Sequence, residues 1–397
     1  LNAVLKNLPR EESASDQMVV ELFQRQSSQA ASIQKYISEQ TENGTWPDIN
    51  YQDQKRSGWE PRVHIERILE LTKQYTSPES PYYHSDKVEA CIHKALHYWF
   101  TAKPVCPNWW YNQIGVPKTL GNAFLLFEPQ LTAEERQSAI QVMENARFGM
   151  TGQNKVWLAG NVLVRALLQE DKELVRQARD PIVSEIVTGQ TEGIQPDWSF
   201  HQHGTQQQFG NYGLAFLASM SFYSGVFAGT SMAFSDEQLE ILRQLIDKGY
   251  RWILWKGQMD ISALGRQFFR EGQTHKGLST AFAATELGGG MSESCNNTAR
   301  ALCNENFQLH SRNDLIGNKH FFCSNYTVHR RPTWMATVKM ASNKVIGTET
   351  LNGDNMKGFY SADGATYVYT DGHEYLDIFP LWDWRKLPGV TAFESDA

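Results

Sequence analysis

The stretch His320–Val328, HFFCSNYTV, marks the point where the chain changes its pattern, because aromatic and β-branched residues begin to alternate with polar ones. The same alternation returns in Trp334–Met340 and in Thr366–Tyr369. Short glycine-containing turns, such as the one at Gly353, separate these runs. The pattern predicts an antiparallel β-sandwich that begins near residue 315.

Toward the N terminus, from about residue 12 to residue 308, apolar residues recur at helical spacing, as in Ile65, Ile68 and Leu69. Polar or glycine-bearing turns such as Thr191–Gly193 separate the helical stretches, which predicts roughly ten helices arranged in pairs. Successive helical hairpins can curve into an open toroid whose concave face holds a long ligand. The predicted fold class is α+β and multidomain: an incomplete (α/α) toroid over residues 1–312, then the start of an antiparallel β-sandwich over residues 313–397.

The composition excludes several classes of protein. Hydrophobic residues make up 41% of the 397 and charged residues 20%, which is enough apolar material for a core and too little charge for disorder. No segment approaches the ~18 consecutive apolar residues that a membrane helix needs. The net charge of −7 does not indicate the basic domain or stripe with which proteins bind nucleic acid. Five cysteines without CxxC pairing predict neither a disulfide framework nor a zinc site, but mostly buried thiols.

The densest polar and aromatic segment is Gly193–Gly213, and it predicts a ligand-contacting loop that runs into a helix. His201 and His203 could bind a metal ion together if they shared one face of an extended segment, but no third ligand lies at a convincing spacing. The alternative is that carbonyl groups of the loop satisfy both imidazoles.

Adjacent aromatic residues surrounded by amides form a second candidate site. Trp109 and Trp110, with Asn108 and Asn112 on either side, suit stacking on sugar rings with hydrogen bonds from the amides. Core packing is the alternative for either ring. Only one of two adjacent tryptophans normally points into a helix core, so we expect at least one to face a groove or an interface.

Arg266 and Arg270 are four residues apart, so on one helical turn both guanidinium groups would point the same way. Paired arginines suit the recognition of carboxylate or sulfate groups, although a solvated helix face also explains the spacing. Asn154 and Glu349, each taken alone, fit a helix cap and a turn.

Taken together, these segments resemble polysaccharide lyase family 8, and within it the chondroitin AC lyases more than the hyaluronate or xanthan lyases. The resemblance covers nearly the whole chain. It depends on the order and spacing of eight motifs, which are Asn43–Tyr51, Asn108–Trp110, Thr151–Asn154, His203 with Tyr212, Gly265–Arg266 with Arg270, Glu349–Asn355, Pro380–Trp384 and Pro388–Thr391. It implies an incomplete α/α toroid followed by β-sandwich domains, and we expect the chain to be truncated within the sandwich.

The resemblance also implies a role for each matching residue. The catalytic roles are Tyr212 as base and acid, His203 as its helper, Asn154 as ligand of the substrate carboxylate, Arg266 and Arg270 as cationic partners, and Glu349, which reaches in from the β domain to orient them. The substrate-binding residues are Trp109, Trp110, Asn108 and Asn352.

Two positions depart from the family pattern. Gln153 stands where a small residue is expected, and Arg385 stands where some members have an acidic residue that helps to bind calcium. The resemblance implies that the chemistry needs no cofactor. A structural calcium site would have to form with the basic side chain of Arg385 at a position where some members have an acidic ligand.

The implied activity is β-elimination at the uronic acid of chondroitin sulfate, more weakly of hyaluronan, which leaves a 4,5-unsaturated uronate. A tyrosine titrates near 10, so we expect Arg266, Arg270 and a nearby imidazole to lower the pKa of Tyr212. The resemblance further implies a monomeric bacterial enzyme, secreted or periplasmic, whose partner is a glycosaminoglycan rather than nucleic acid or a membrane.

Three alternatives remain. The chain could be a hyaluronate or xanthan lyase of the same family. It could be a glycoside hydrolase that uses Asp197 and Glu349 as its two carboxyl groups. It could also be a non-catalytic glycan-binding protein, which would need no candidate base at position 212.

Overall fold

The computed structural model describes residues 32–290, 292–307 and 315–391, except for the side chains of residues 270, 271 and 290. Residues 32–39 are helical. The further helices are α1 (Arg62–Thr76), α2 (Asp86–Ala102), α3 (Val116–Leu126), α4 (Ala133–Met143), α5 (Gly152–Leu168), α6 (Lys172–Val183), α7 (Leu214–Phe227), α8 (Asp236–Leu245), α9 (Arg251–Ile253), α10 (Arg270–Gln273), α11 (Lys276–Glu286) and α12 (Glu293–Phe307). The helix-rich region that the apolar spacing predicts is confirmed.

The chain divides into two compact units. The N unit comprises Ser15–Met150 and Asn154–Ile182, and the C unit comprises Thr151–Gln153 and Val183–Ala397, each within the described residues. The predicted boundary between residues 312 and 313 lies outside the described part of the chain and stays a prediction.

In the N unit, α1 packs against α2 and α3, and α4 packs against α3 and α2. Ile65, Ile68 and Leu71 of α1 are buried, as their helical spacing predicts. Helix α4 begins with a capping box, in which the Thr132 side chain accepts from the backbone of Glu135 and the Glu135 side chain accepts from the backbone of Thr132.

The motif Asn43–Tyr51 has a structural explanation within the N unit. A Cβ atom at Gly44 would lie 2.1 Å from the carbonyl oxygen of Lys94, so only glycine allows this approach. Asp48 receives two hydrogen bonds, at 2.9 and 2.6 Å, from the guanidinium of Arg67. The Tyr51 hydroxyl lies 2.9 Å from Nδ1 of His64. The motif therefore fixes one corner of the N unit through polar contacts to the buried side chains of Arg67 and His64.

The helical part of the C unit packs α7 against α11, α11 against α12, and α8 against α12. Its two short antiparallel hairpins pair β1 (Gly193–Ile194) with β2 (Phe200–His201), and β3 (Leu254–Trp255) with β4 (Gln258–Met259). The first hairpin opens the polar segment Gly193–Gly213, so this segment has a defined course before it enters α7.

The described sheet of the β region has four antiparallel strands in chain order, β5 (Gly317–Phe321), β6 (Tyr326–Arg331), β7 (Trp334–Met340) and β8 (Asp363–Tyr369). Burial alternates along β6 and β7, so one face of the sheet is covered. The predicted change from helices to antiparallel strands is confirmed. A long connection between β7 and β8 carries Glu349.

Buried polar groups join this sheet to the helical part of the C unit. Asp260, which is fully buried, accepts hydrogen bonds from the hydroxyls of Tyr326 (2.6 Å), Tyr369 (2.7 Å) and Thr337 (3.0 Å). Arg330 of β6 donates from Nη1 to three carbonyl oxygens at the end of α9, those of Arg251, Trp252 and Leu254, at 2.7 to 3.0 Å. Each contact satisfies groups that burial would otherwise leave unpaired.

Cys91, Cys106, Cys295 and Cys303 are buried free thiols, and Cys323 is half-buried, as predicted. Over the described ranges, every helix is too short or too polar to cross a bilayer.

Candidate active site

Tyr212 lies in a single π-helical turn, Phe209–Gly213, that leads directly into α7. The loop-into-helix transition predicted for this segment is confirmed. The side chain is only 6% exposed. A Cβ atom at Gly210 would lie 3.0 Å from Cα of Leu264, so the turn packs directly on the backbone of the neighbouring segment. The phenol is therefore held on a rigid turn in a mostly dry environment.

His203 stands beside this phenol. Its backbone is in the left-handed region, with φ of +62°, and Gly204 follows at +83°. The imidazole meets the Tyr212 ring edge-on, with centroids 4.7 Å apart, and its Nδ1 is hydrogen-bonded to Oε1 of Glu349. A non-glycine residue in this backbone region is uncommon and marks a conformation held by its surroundings.

Glu349 ties three side chains together from the connection between β7 and β8. Besides His203, its carboxylate receives Nη1 of Arg266 at 2.6 Å and Nε2 of Gln208 at 2.7 Å. Burial opposes ionisation, but the hydrogen bond from His203 and the charge of Arg266 hold the pKa of Glu349 below its usual range. Glu349 is thus a buried anion that orients a histidine and an arginine.

Arg266 is fully engaged inside this cluster. Its Nε also donates to Oδ2 of Asp354 at 3.2 Å, and the guanidinium hydrogen-bonds to Tyr212, whose ring centroid lies 5.9 Å from Cζ. Two carboxylates and a phenol therefore share one guanidinium. Arg266 is therefore better placed to stabilise negative charge on the Tyr212 oxygen than to bind a carboxylate of the substrate.

The prediction that Arg266 and Arg270 share one helical turn is wrong. Arg266 lies in a turn, and α10 begins only at Arg270, whose side chain lies outside the described residues. The reason is Gly265, which has φ of +68° and no room for a Cβ atom, because that atom would lie 2.3 Å from Oε1 of Gln208. A left-handed residue at this point interrupts any helix.

The prediction that the pKa of Tyr212 is lowered is also wrong. Burial of the phenol raises its pKa above the ordinary value, the charge and hydrogen bond of Arg266 oppose this, and Glu349 and Glu192 add to the rise. Arg266 therefore reduces the cost of ionising Tyr212 without reversing it.

Asn154 is the third residue of α5 and belongs to the N unit, whereas Tyr212, His203, Arg266 and Glu349 belong to the C unit. It is 6% exposed, and its Oδ1 has no hydrogen-bond partner among the described residues. A buried amide oxygen left without a partner is unusual, and fits a group that meets a ligand or water. The departure at Gln153 is accommodated, because its Nε2 donates to the Ser219 hydroxyl at 3.0 Å.

The two tryptophans of the N unit differ in exposure. Trp109 is 38% exposed, whereas Trp110 packs beside Ile114 and meets Trp157 edge-on at 5.5 Å. The ring of Trp109 is thus exposed, and the expectation that it faces a groove or an interface stays a prediction. Asn108 is buried, and its amide donates to Arg56 O at 2.9 Å and accepts from Trp110 N at 3.1 Å. Its side chain thus holds the turn that presents Trp109.

The alternatives that involve other residues of the loop find no support. His201 points to Ser324, with Nε2 2.9 Å from Oγ, whereas the His203 ring lies against Tyr212 and Glu349. Among the described residues, no three His, Cys, Asp or Glu side chains are grouped so that they could hold a metal ion. Asp383 accepts a hydrogen bond from the backbone of Arg385 at 3.1 Å, and the Arg385 side chain offers no oxygen to calcium.

Asp197, the proposed partner carboxylate of a hydrolase, is buried under other hydrogen bonds. It accepts from the backbone and hydroxyl of Ser199, at 2.9 and 2.7 Å, and from the backbone of Cys323 at 2.5 Å. A carboxylate engaged in this way is poorly placed to meet a sugar.

Several residues at this site were missed by reasoning from the sequence. Gln208 and Asp354 contact Glu349 and Arg266 directly, and Asn355 donates from Nδ2 to the carbonyl of Glu349 at 2.9 Å. Gln208 lies in the polar segment Gly193–Gly213, and Asp354 and Asn355 lie in the motif Glu349–Asn355 of the resemblance, which were the available signals. Asn352 lies at the tip of the turn between Leu351 and Asp354, with φ of +57°.

Glu192 holds the segments on both sides of His203 and was missed as well. It accepts from Gly204 N at 2.9 Å, from Nε2 of Gln202, and from the Thr151 hydroxyl at 2.5 Å. From the sequence alone, Glu192 was interpreted only as part of the turn Thr191–Gly193.

Comparison with known protein families gives two matches that together cover nearly the whole chain. The model described as polysaccharide lyase family 8, N-terminal alpha-helical domain, matches residues 9–304. The model described as polysaccharide lyase family 8, super-sandwich domain, matches residues 316–397. The predicted order of an α-helical domain and a β-sandwich is thereby confirmed.

Individual relatives agree. The chain is 29% identical to a chondroitinase-AC of Pedobacter heparinus over 358 residues, which cover 88% of this chain and 51% of the relative. It is 25% identical to a hyaluronate lyase of Thermasporomyces composti, over 88% of this chain and 50% of the relative. A solved structure of chondroitinase AC lyase with oligosaccharides matches with a TM-score of 0.84 at 26% identity, over 91% of this chain and 54% of the other. The chain thus spans about half the length of the curated relatives it matches.

Proposed function

Because the chain belongs to polysaccharide lyase family 8, we propose that it is a carbon–oxygen lyase that cleaves chondroitin sulfate, and hyaluronan more weakly, by β-elimination at the uronic acid. The observation that carries the proposal is the cluster in which Glu349 holds both His203 and Arg266, and Arg266 holds the hydroxyl of Tyr212. The higher identity to a chondroitinase-AC than to a hyaluronate lyase supports chondroitin as the preferred substrate.

The reaction breaks the C5–H bond of the uronic acid and the C4–O glycosidic bond, and forms a C4–C5 double bond. Removal of the C5 proton places negative charge on the neighbouring carboxylate, so hydrogen-bond donors directed at that group are the main electrostatic requirement. We assign this task to Asn154, whose buried side-chain amide can donate from Nδ2, and to His203.

Tyr212 takes the C5 proton as a phenolate and then donates it to the departing glycosidic oxygen. One group can serve both steps because both bonds lie on the same face of the sugar, which makes the elimination syn. Arg266 steadies the phenolate, and Glu349 keeps Arg266 and His203 in place. Nothing in these steps consumes water.

Substrate contacts are proposed for the exposed ring of Trp109, with Trp110 beside it and Asn108 as the support of their turn. Asn352, at the tip of the turn that follows Glu349, is proposed to contact the sugar from the β region, and Arg270 to add positive charge near the cleavage site. For a bacterial enzyme with a polysaccharide as substrate, we propose secretion or export to the periplasm, and function as a monomer.

The test is the ultraviolet absorbance of the new double bond during incubation with chondroitin 4- and 6-sulfate, hyaluronan, dermatan sulfate and xanthan. We expect absorbance to rise fastest on the chondroitin sulfates and to be lost in Tyr212→Phe, because phenylalanine has no oxygen to carry the proton. Tyr223→Phe, in the neighbouring helix α7, is the matched control and should retain activity. Accumulation of reducing ends without absorbance would instead indicate a hydrolase, and glycan affinity without either signal a binding protein.

A further inference from the structure

Lys276 links the two segments that carry Tyr212 and Arg266. It is the first residue of α11, and its Nζ donates to the carbonyl oxygen of Gly210 and to Oε1 of Gln267. Gly210 lies two residues before Tyr212 in the π-helical turn, and Gln267 directly follows Arg266. One ammonium group therefore holds the turn of the candidate base and the turn of its cationic partner.

These two segments also pack closely on each other. A Cβ atom at Gly210 would lie 3.0 Å from Cα of Leu264 and 3.1 Å from the carbonyl oxygen of Ala263. In the other direction, a Cβ atom at Gly265 would lie 2.3 Å from Oε1 of Gln208. Because closely packed interiors transmit displacements, a shift of either turn must move the other.

Lys276 occupies an unfavourable place for a cation. Burial lowers its pKa to about 8, and the first turn of a helix carries the positive end of the helix dipole. A lysine in such a place needs oxygen acceptors to offset the cost, and its two acceptors belong to the turns that carry Tyr212 and Arg266. The contact is therefore a specific link rather than the snorkelling of a surface lysine.

We propose that Lys276 is a positioning residue that fixes the Arg266 guanidinium against the Tyr212 hydroxyl and so sets the pH at which Tyr212 can act as a base. The inference rests on the proposed function, in which Tyr212 removes the proton. Lys276 acts through Gly210 and Gln267 and is not itself assigned a contact with substrate.

The test compares Lys276→Met with Lys172→Met in the full chain. Lys172 is also the first residue of its helix, but it is exposed, so it is the matched control. Misplacement of a reacting group by about 1 Å can cost roughly 100-fold in rate, and we expect Lys276→Met to lower kcat on this scale with KM nearly unchanged. Lys172→Met should behave as the wild type.

The pH profile separates positioning from a general structural defect. The charged groups that face Tyr212 are Arg266, Glu349 and Glu192, and the His203 ring lies against it. Of these, only Arg266 favours the phenolate, so loosening it should move the rise of activity with pH to higher pH. In Lys276→Arg, a guanidinium can again donate to both oxygens, and we expect part of kcat and of the wild-type profile to return.

An unchanged kcat in Lys276→Met, or a fall in kcat with an unshifted pH profile and a higher KM, would overturn the proposal. Should Lys276→Met not fold, Lys276→Arg is measured in its place, and a fall in kcat with an unshifted pH profile would overturn the proposal. Hydrogen exchange without substrate decides the matter independently of turnover. Peptides covering residues 208–214 and 264–268 should exchange faster in Lys276→Met than in Lys172→Met, and equal exchange would contradict the link.

Absence of double-bond formation by the wild type on every substrate would instead refute the proposed function.

Discussion

Tyr212 illustrates how burial and a single ion compete at one residue. The apolar surroundings that protect the phenol from water raise its pKa, and the guanidinium of Arg266 offsets only part of that rise. Arg266 is in turn divided between Glu349, Asp354 and the phenol. The base is thus available in small amounts at neutral pH, and each contact that directs Arg266 toward it matters for the rate.

This competition predicts a rise of kcat/KM with pH. The quantity reports the ionisation of the free enzyme, and the raised pKa of Tyr212 means that the phenolate fraction grows about tenfold per pH unit through the neutral range. Arg266→Met should shift the rise to still higher pH, because it removes the one charge that favours the phenolate. Initial rates at low substrate from about pH 6 to about pH 11, a range that reaches the ordinary tyrosine pKa near 10, provide the measurement. Arg176→Met, on an exposed helix face, is the control, and a kcat/KM that falls with pH would contradict the assignment of the base.

At the scale of elements, the site depends on turns rather than on regular helix faces. Tyr212 lies in a π-helical turn, Arg266 in a turn before α10, and Glu349 in the connection from β7 to β8. Binding and catalytic residues often lie on such connections because a rigid scaffold can hold their backbones in conformations that helices do not allow. Gly265 is the residue that makes the Arg266 turn possible.

Gly265→Ala therefore tests the contact between the turns. The new methyl group would meet Oε1 of Gln208 at 2.3 Å, and Gln208 holds Glu349, so we expect turnover to fall as well as stability. Gly229→Ala is the matched control, since Gly229 has a similar φ of +72° but nothing within 4 Å of a Cβ atom. The control should cost about 1 kcal/mol of unfolding free energy from backbone strain, and Gly265→Ala should cost more. Thermal melts and kcat measure the two effects, and equal behaviour of the two variants would refute the contact.

At the scale of the whole molecule, helices and sheet of the C unit are joined by buried polar contacts. Asp260 collects three hydroxyls from the sheet, and Arg330 reaches from β6 to carbonyls at the end of α9. The sheet in turn supplies the connection with Glu349 to the cluster around Arg266. The C unit is therefore expected to lose its sheet and its active-site geometry together.

Replacement of Arg330 by methionine tests this coupling. The change leaves buried carbonyl oxygens without a donor, and such a loss costs about 1–3 kcal/mol for each group that water does not reach. We expect the urea midpoint to fall and circular dichroism and lyase activity to be lost in one transition. Arg331→Met removes the neighbouring, exposed arginine of the same strand and should change little. Activity that persists after the sheet has unfolded would show that the sheet and the site are independent.

Features that depend on local pattern could be predicted from the sequence alone. Helical spacing and the later alternation in HFFCSNYTV predicted an α-helical domain followed by antiparallel strands, because side-chain periodicity reflects which face of each element is buried. The motifs were sufficient to identify the family and to single out Tyr212, His203, Arg266 and Glu349. These four meet in the structure, with contacts that join His203 and Arg266 to Glu349.

Properties that depend on neighbours distant in sequence could not be predicted without the fold. The spacing of Arg266 and Arg270 suggested one helical turn, but Gly265 has a left-handed conformation and no room for a Cβ atom beside Gln208. The charge of Arg266 suggested a lowered pKa for Tyr212, but the burial that raises it comes from surrounding segments. Lys276 became recognisable only once Gly210 and Gln267 lay beside its ammonium group. Periodicity is a local property of the chain, whereas desolvation and close backbone contact depend on what the fold brings to each residue.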